Sequence, residues 1–205
     1  MYILTVLQDA NYNKVCEIKW LFKMMRGFPE DFEDSRMVCE VHMLDNCRII
    51  MAQECDTMEI LSLYRTQLGG PAEWNEYYPN EDTIAFDLER DALFVMKNEL
   101  NEIIAAISID SDEAVDALEC WDQSLRPSGE VSRLCVRDDM KNQGIARRMM
   151  QHIFDILKKR GYKSVHILVK TGHVIALSSY AHLDFIQVGE CRLFDKDFVC
   201  LEKVL

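Results

Sequence analysis

A mixed α/β domain, built on a mostly antiparallel twisted sheet with helices on both faces, is the fold the sequence predicts. Three observations point to it. Strand-like runs stand on both sides of helical ones along the chain. Two of them, Leu93 to Met96 and Ile103 to Ile109, are joined by the polar turn Lys97-Asn98-Glu99 in the manner of a hairpin. A further run, Val131 to Val136, leads through a short polar loop into a long amphipathic helix.

The elements follow in order. Tyr2 to Leu7 reads as a strand, and Val15 to Met25 places apolar residues at 15, 18, 21, 22 and 25, the spacing of one helix face. Gly27, Pro29 and the acids Glu30, Asp31, Glu33 and Asp34 form a loop, and Val38, Val41 and Met43 belong to a second strand that turns at Asp45-Asn46. Arg48 to Ala52 is a strand. Asp56-Thr57 caps a helix carrying Met58, Ile60, Leu61 and Tyr64, which stops at Gly69-Gly70-Pro71. Asn80 or Asp82 caps the next helix, with Ile84 and Leu88 on its buried side. After the hairpin and the strand at 131–136 come a helix from Ile145 to Arg160 ending at Gly161, a strand from Val165 to Val169 and a short helix from Val174 to His182. Two strands close the chain, Phe185 to Val188 and Phe198 to Val204.

Composition narrows the classes. Of 205 residues, 49% are hydrophobic and 28% charged, which excludes a wholly disordered chain. No apolar run approaches the roughly 18 residues that cross a bilayer. The N-terminal stretch has neither a basic lead-in nor a small-residue cleavage site, so no secretory signal is expected. The eight cysteines never form CxxC and mostly sit in apolar runs. Neither a zinc site nor a disulfide framework is expected, and a reduced, cytoplasmic compartment is the natural setting.

Charge is uneven. The formal net charge of −12 divides into −16 over residues 1–127 and +4 over residues 128–205. An acidic chain is a poor partner for nucleic acid, whereas a basic C-terminal third suits one local anion site. The segment Lys141-Asn142-Gln143-Gly144-Ile145-Ala146 supplies it. A loop opening a helix leaves backbone N–H groups without internal partners at the positive end of the helix dipole. Phosphate binds such an end directly. Gly144 lets backbone approach an anion closely, Ala146 keeps the next turn low, and Lys141, Arg147 and Arg148 add charge. The pattern is neither a P-loop nor the dinucleotide GxGxxG fingerprint.

Residues 141–146 resemble the Arg/Gln-x-x-Gly-x-Gly/Ala signature of the GNAT superfamily of acetyl-CoA-dependent N-acetyltransferases, with Lys141 departing at the first position. Leu134-Cys135-Val136 is similar to the family's Leu-x-Val strand, whose backbone is expected to pair with the pantetheine arm. The second landmark, Asn-x-x-Ala-x-x-x-Tyr followed by Gly-Phe, is matched by Ala176, Tyr180 and Phe185, with His173 in place of Asn and Asp184 in place of Gly. The resemblance covers about residue 47 onward and is strongest from 130 to 185. It implies a GNAT domain over 47–205 preceded by an extension, 1–46, that acts as a cap or an interaction element.

The resemblance also implies roles. Transfer to an amine needs a group to take the ammonium proton and another to protonate the departing thiolate. Tyr180 is expected as the acid and Glu130, directly or through water, as the base; the alternatives are a core tyrosine and an ordinary surface glutamate. His173 could bond to the pantetheine, act as a base or be a polar substitute. Cofactor contacts are expected from Leu134, Cys135, Val136, Lys141, Asn142, Gln143, Gly144, Ile145, Ala146, Arg147 and His173, with no metal. Cys135 is expected to be a buried structural thiol, and His42, His152, His166 and His182 to be structural. Trp74, Tyr77, Tyr78 and Trp121, with Glu73, Glu76, Glu81 and Asp122, form aromatic–acidic clusters suited to a cationic amine or, equally, to helix packing under a solvated face. The reading is an N-acetyltransferase acting on a cationic small molecule or peptide, with no nucleic-acid or membrane partner. A homodimer is left open as its assembly, and a non-catalytic acyl-CoA-binding or interaction protein on the same fold stands as the alternative.

Overall fold

A computed structural model describes residues 46–205. The strands expected at Tyr2 to Leu7 and Val38 to Met43, and the helix at Val15 to Met25, therefore lie outside the described residues. Within them, seven strands form one sheet: β1 (Arg48–Met51), β2 (Leu93–Lys97), β3 (Ile103–Asp110), β4 (Ser128–Val136), β5 (Ser164–Lys170), β6 (Ile186–Leu193) and β7 (Lys196–Val204). Their order is β1-β2-β3-β4-β5-β7-β6, antiparallel throughout except for the parallel pair β4–β5. The helices are α1 (Thr57–Arg65), α2 (Glu81–Glu89), the single turn α3 (Glu113–Asp116), α4 (Ile145–Lys159) and α5 (Val174–Ala181). The expected mixed fold is the observed one.

Both faces of the central strands are covered, which is why Leu93 to Met96 of β2 and Ile103 to Ile107 of β3 read as unbroken apolar runs. Leu93 and Val95 point with Ala106 and Cys135 toward α1 and α2, where Ile60, Leu61, Tyr64 and Ile84 complete a core. Phe94, alternating with them, faces the other way and meets the His152 ring of α4 edge-on, at 5.7 Å between centroids. The stripe Ile145, Met149, Met150, Ile153, Phe154 and Leu157 buries α4 against that second face. Contact there is close enough to demand glycine: a Cβ at Gly129 of β4 would lie 2.7 Å from Leu157 Cδ2.

Three local differences from the sequence-based expectation have physical reasons. β4 begins at Ser128, before the apolar run, because Ser128, Gly129 and Glu130 pair with Ser164, Val165 and His166 of β5. α1 closes at Arg65, short of the glycines, where the Thr66 hydroxyl donates to the Leu63 carbonyl at 2.7 Å. Asp56 stands at the start of α1 but does not cap it. Its carboxylate is taken by the buried Lys97 ammonium at 2.6 Å and accepts from the Gln53 N–H.

Candidate active site

The parallel pairing of β4 with β5 stops after Glu130↔His166. Beyond it the two strands part around a cavity of about 830 Å³. Glu130, Leu134, His173 and Tyr180 all line this cavity. The parting is the cleft expected between 131–136 and 165–169.

One wall is built by a kink in β4. The β3–β4 register slips between Ala106 and Ser108, and Arg133 takes a left-handed conformation (φ 53°) there. Its guanidinium is thereby buried in a carboxylate cluster. Nε and Nη2 donate to Asp87 at 3.0 and 2.7 Å, while Nη1 donates to Asp110 at 2.5 Å and to the Tyr78 hydroxyl at 3.0 Å. The Ser108 hydroxyl completes Asp87 at 2.7 Å, and the Ser132 hydroxyl donates to Asp110 at 2.9 Å. Arg90 reaches Asp87 at 2.7 Å and Asp110 at 3.7 Å. Burial alone would raise the Asp110 carboxyl, but Arg133, the Ser111 N–H and Ser132 hold it below the usual carboxylate range. Glu130 stands directly opposite Asp110 in the strand pair. Burial first, and the Asp110 charge second, push it up to about 8, although it accepts from the Asp112 N–H at 3.4 Å.

On the far wall, Tyr180 is buried at the end of α5 with its ring edge-on to Phe185, 5.7 Å between centroids. Burial pushes its phenol up to about 12, so it stays neutral and keeps its proton. His173 caps α5, its Nδ1 accepting from the Ala176 N–H at 3.4 Å, which leaves Nε2 as the nitrogen a ligand could meet. Burial lowers this imidazole, keeping it neutral near pH 7. Asp184 keeps the turn where the family pattern has glycine by adopting φ 61°, and its carboxylate meets Lys203 at 3.3 Å.

The loop at 141–147 stands at the head of α4. Gly144 is the left-handed N-cap (φ 77°), and no side chain caps the helix. The N-terminal amides of a 15-residue helix are thus left for an anion. Ile145 is buried beneath them, Ala146 adds no bulk, and Arg147 is exposed beside them. Lys141 is already engaged by Asp138 at 2.6 Å and Gln67 at 2.9 Å, and Gln143 donates to the Asp139 carbonyl at 3.3 Å, so these two brace the loop. Asn142 supplies a second left-handed residue (φ 63°). The donor set fits a pyrophosphate: uncapped amides, a glycine corner and an exposed guanidinium.

Cys135 points away from the cleft. Its thiol is buried below α1, 3.7 Å from the Leu63 carbonyl, and burial pushes it up to about 12, which leaves an unreactive thiol; any ligand contact at this position is through backbone. Of the aromatic–acidic clusters, Trp74 and Tyr78 line the cavity while Tyr77 is exposed outside it. Trp121 does not belong there. It is buried, its indole N–H donates to the Val115 carbonyl at 2.7 Å, and its ring stacks on His166 at 4.5 Å. The residues that sequence reasoning missed are Asp110, Ser132 and Arg133. Their one sequence signal is an arginine interrupting an otherwise alternating strand. Among the described residues no cluster of His, Cys, Asp and Glu could hold a metal ion, Cys55, Cys120, Cys135, Cys191 and Cys200 are free thiols, and no helix is long and apolar enough to cross a membrane.

The profile of the Acetyltransferase (GNAT) family matches residues 57–185. No curated protein matches the chain by sequence. Among solved structures, the chain is similar to the ribosomal-protein-alanine N-acetyltransferase of Brucella melitensis, with a TM-score of 0.63 and 20% identity over 77% of this chain and 99% of that one. An N-acetyltransferase of Staphylococcus aureus Mu50 superposes with a TM-score of 0.62 and 18% identity over 78% and 98% of the two chains. Naa50 of Arabidopsis thaliana, solved with the bisubstrate analogue CoA-Ac-MVNAL, gives 0.59 and 14% over 78% and 99%. At these identities the likeness is one of fold.

Proposed function

The chain belongs to the GNAT acetyltransferase family, and on that premise we propose that it moves an acetyl group from acetyl-CoA directly to the amine of a cationic small molecule or peptide. The observation that carries this reading is the pair Glu130 and Tyr180, which line one cavity, the carboxyl raised to about 8, where it can exchange a proton with an amine, and the phenol raised to about 12, where it holds one. Bound acetyl-CoA supplies an activated acetyl carbonyl and a thiolate leaving group. The backbone of 134–136 would flank its pantetheine arm, with His173 beside it, and residues 141–147 would hold the pyrophosphate. Glu130, titrating near neutrality, takes the ammonium proton directly or through one water. Tyr180 holds a phenolic proton for the departing sulfur. Asp82, Asp112 and Glu130, with Trp74, Tyr78 and Phe86, line the acceptor side and favour a cation. Residues 47–205 form the catalytic domain in this reading and 1–46 an extension to it, with the cytoplasm as the setting.

The test is thiol release from acetyl-CoA across a panel of polyamines, aminoglycosides, amino acids and peptides with free N-termini or lysines. Acetyl-CoA alone at 100 times its Kd should raise Tm by roughly 5–10 °C. Release with a cationic acceptor supports the proposal. Stabilisation without release by any amine would make the chain an acyl-CoA-binding protein, and neither response would refute the cofactor assignment as well.

A further inference from the structure

The base in the proposed reaction sits in a cluster whose charges do not balance. Around the buried core of the cleft wall stand two guanidiniums, Arg90 and Arg133, and three carboxylates, Asp87, Asp110 and Glu130. The two aspartates absorb both guanidiniums through five ionic contacts no longer than 3.7 Å. Arg133 is thus committed to Asp87 of α2 and Asp110 of β3 rather than to Glu130, although it lies only three residues along β4. Like charges placed directly across an antiparallel pair repel, and Glu130 and Asp110 occupy such a position.

We infer that Asp110 is a positioning residue for the reaction: clamped by Arg133, Arg90 and Ser132, it is a fixed negative charge facing Glu130 that makes Glu130 keep its proton until a cation enters the cleft. This rests on Glu130 being the base. With Glu130 protonated, two positive charges face two negative ones. When it ionises, one negative charge is in excess, and an ammonium in the cleft restores the balance. Acceptor binding and loss of the Glu130 proton are then the same event. Among the other groups around Glu130, Asp112, in the loop after β3, donates its N–H and adds a weaker like charge of its own. Tyr78, from the loop before α2, is a neutral phenol raised by burial. His166, its partner in β5, is pushed down to about 4 by burial and is neutral at pH 7.

The experiment follows the carboxyl 13C shift of Glu130 with pH in glutamate-labelled full-length protein, the signal being assigned by its absence in Glu130→Gln. In Asp110→Asn the midpoint should fall by about one unit or more, and Asp110→Glu should restore it. In parallel, the acidic limb of kcat/KM should move down by the same amount. An unchanged midpoint in folded Asp110→Asn overturns the inference. Should that variant fail to fold, Asp110→Asn/Arg133→Gln removes opposed charges together; the same direction of shift is expected, and an unmoved midpoint is again fatal. The 13C titration needs neither acceptor nor turnover, so its failure is distinct from a failure to release thiol.

Discussion

Replacing Glu130 with glutamine should stabilise the protein, and by an amount that depends on pH. In the folded protein Glu130 titrates at about 8, whereas in the unfolded chain it does so near about 4.3. Between those values the folded state keeps a proton that the unfolded chain has released, so stability falls as pH rises through the window. Below it both forms are protonated and the cost vanishes. At about 1.4 kcal/mol per unit, pH 7 places the wild type about 4 kcal/mol below a variant that has no proton to lose. Glutamine keeps an oxygen for the Asp112 N–H, so little else changes. Urea unfolding of both proteins at about pH 4, 7 and 9 measures the gap. It should be near zero at the first, about 4 kcal/mol at the second and about 5 kcal/mol at the third, where it has levelled off, with a Tm difference at neutrality of roughly 8–16 °C. A gap independent of pH would refute the argument, because it would mean that Glu130 titrates alike in both states.

Other substitutions probe other parts of the molecule. Tyr180→Phe should lower kcat by about 10²-fold while the thermal shift with acetyl-CoA is retained; equal turnover would remove the phenol from the mechanism. Gly144→Val forces a β-branched residue into φ 77° at the head of α4, so acetyl-CoA stabilisation should be lost at a cost of about 1–2 kcal/mol to the apo protein, both read by thermal denaturation. Gly129→Ala puts a methyl 2.7 Å from Leu157 Cδ2 and should cost about 1–3 kcal/mol in urea unfolding, recovered in part by Leu157→Val. Lys97→Met leaves the Asp56 carboxylate buried without its ammonium and should cost about 3–5 kcal/mol.

What could be read in the sequence was whatever lies within one element or one turn. The unbroken runs of β2 and β3, the stripe of α4 and the glycine at its head are local, and each was found where expected. The Arg133–Asp87 pair joins residues 46 positions apart, and only the packing of α2 on β3 and the kink in β4 bring them together. Trp121 illustrates the opposite limit. An indole beside acidic residues looks like a groove wall, but here the surplus of apolar area decided, and it closed over His166 instead. The single turn α3 is too short for periodicity to show, and it is held by the Asp112 side chain accepting from the Ala114 and Val115 N–H groups. Asp184 holds a positive φ that a glycine signature would have advertised.

Among the described residues, the three rungs between Ser128–Glu130 and Ser164–His166 are the whole of the β-pairing between β1–β4 and β5–β7. A molecule lying along the unpaired remainder of β4 would act as a removable rung, and the two half-sheets would exchange their amide hydrogens as separate units without it and as one unit with it. The opening between β4 and β5 is therefore the seam along which the domain would yield, and occupancy of that opening and mechanical integrity would become two readings of one equilibrium.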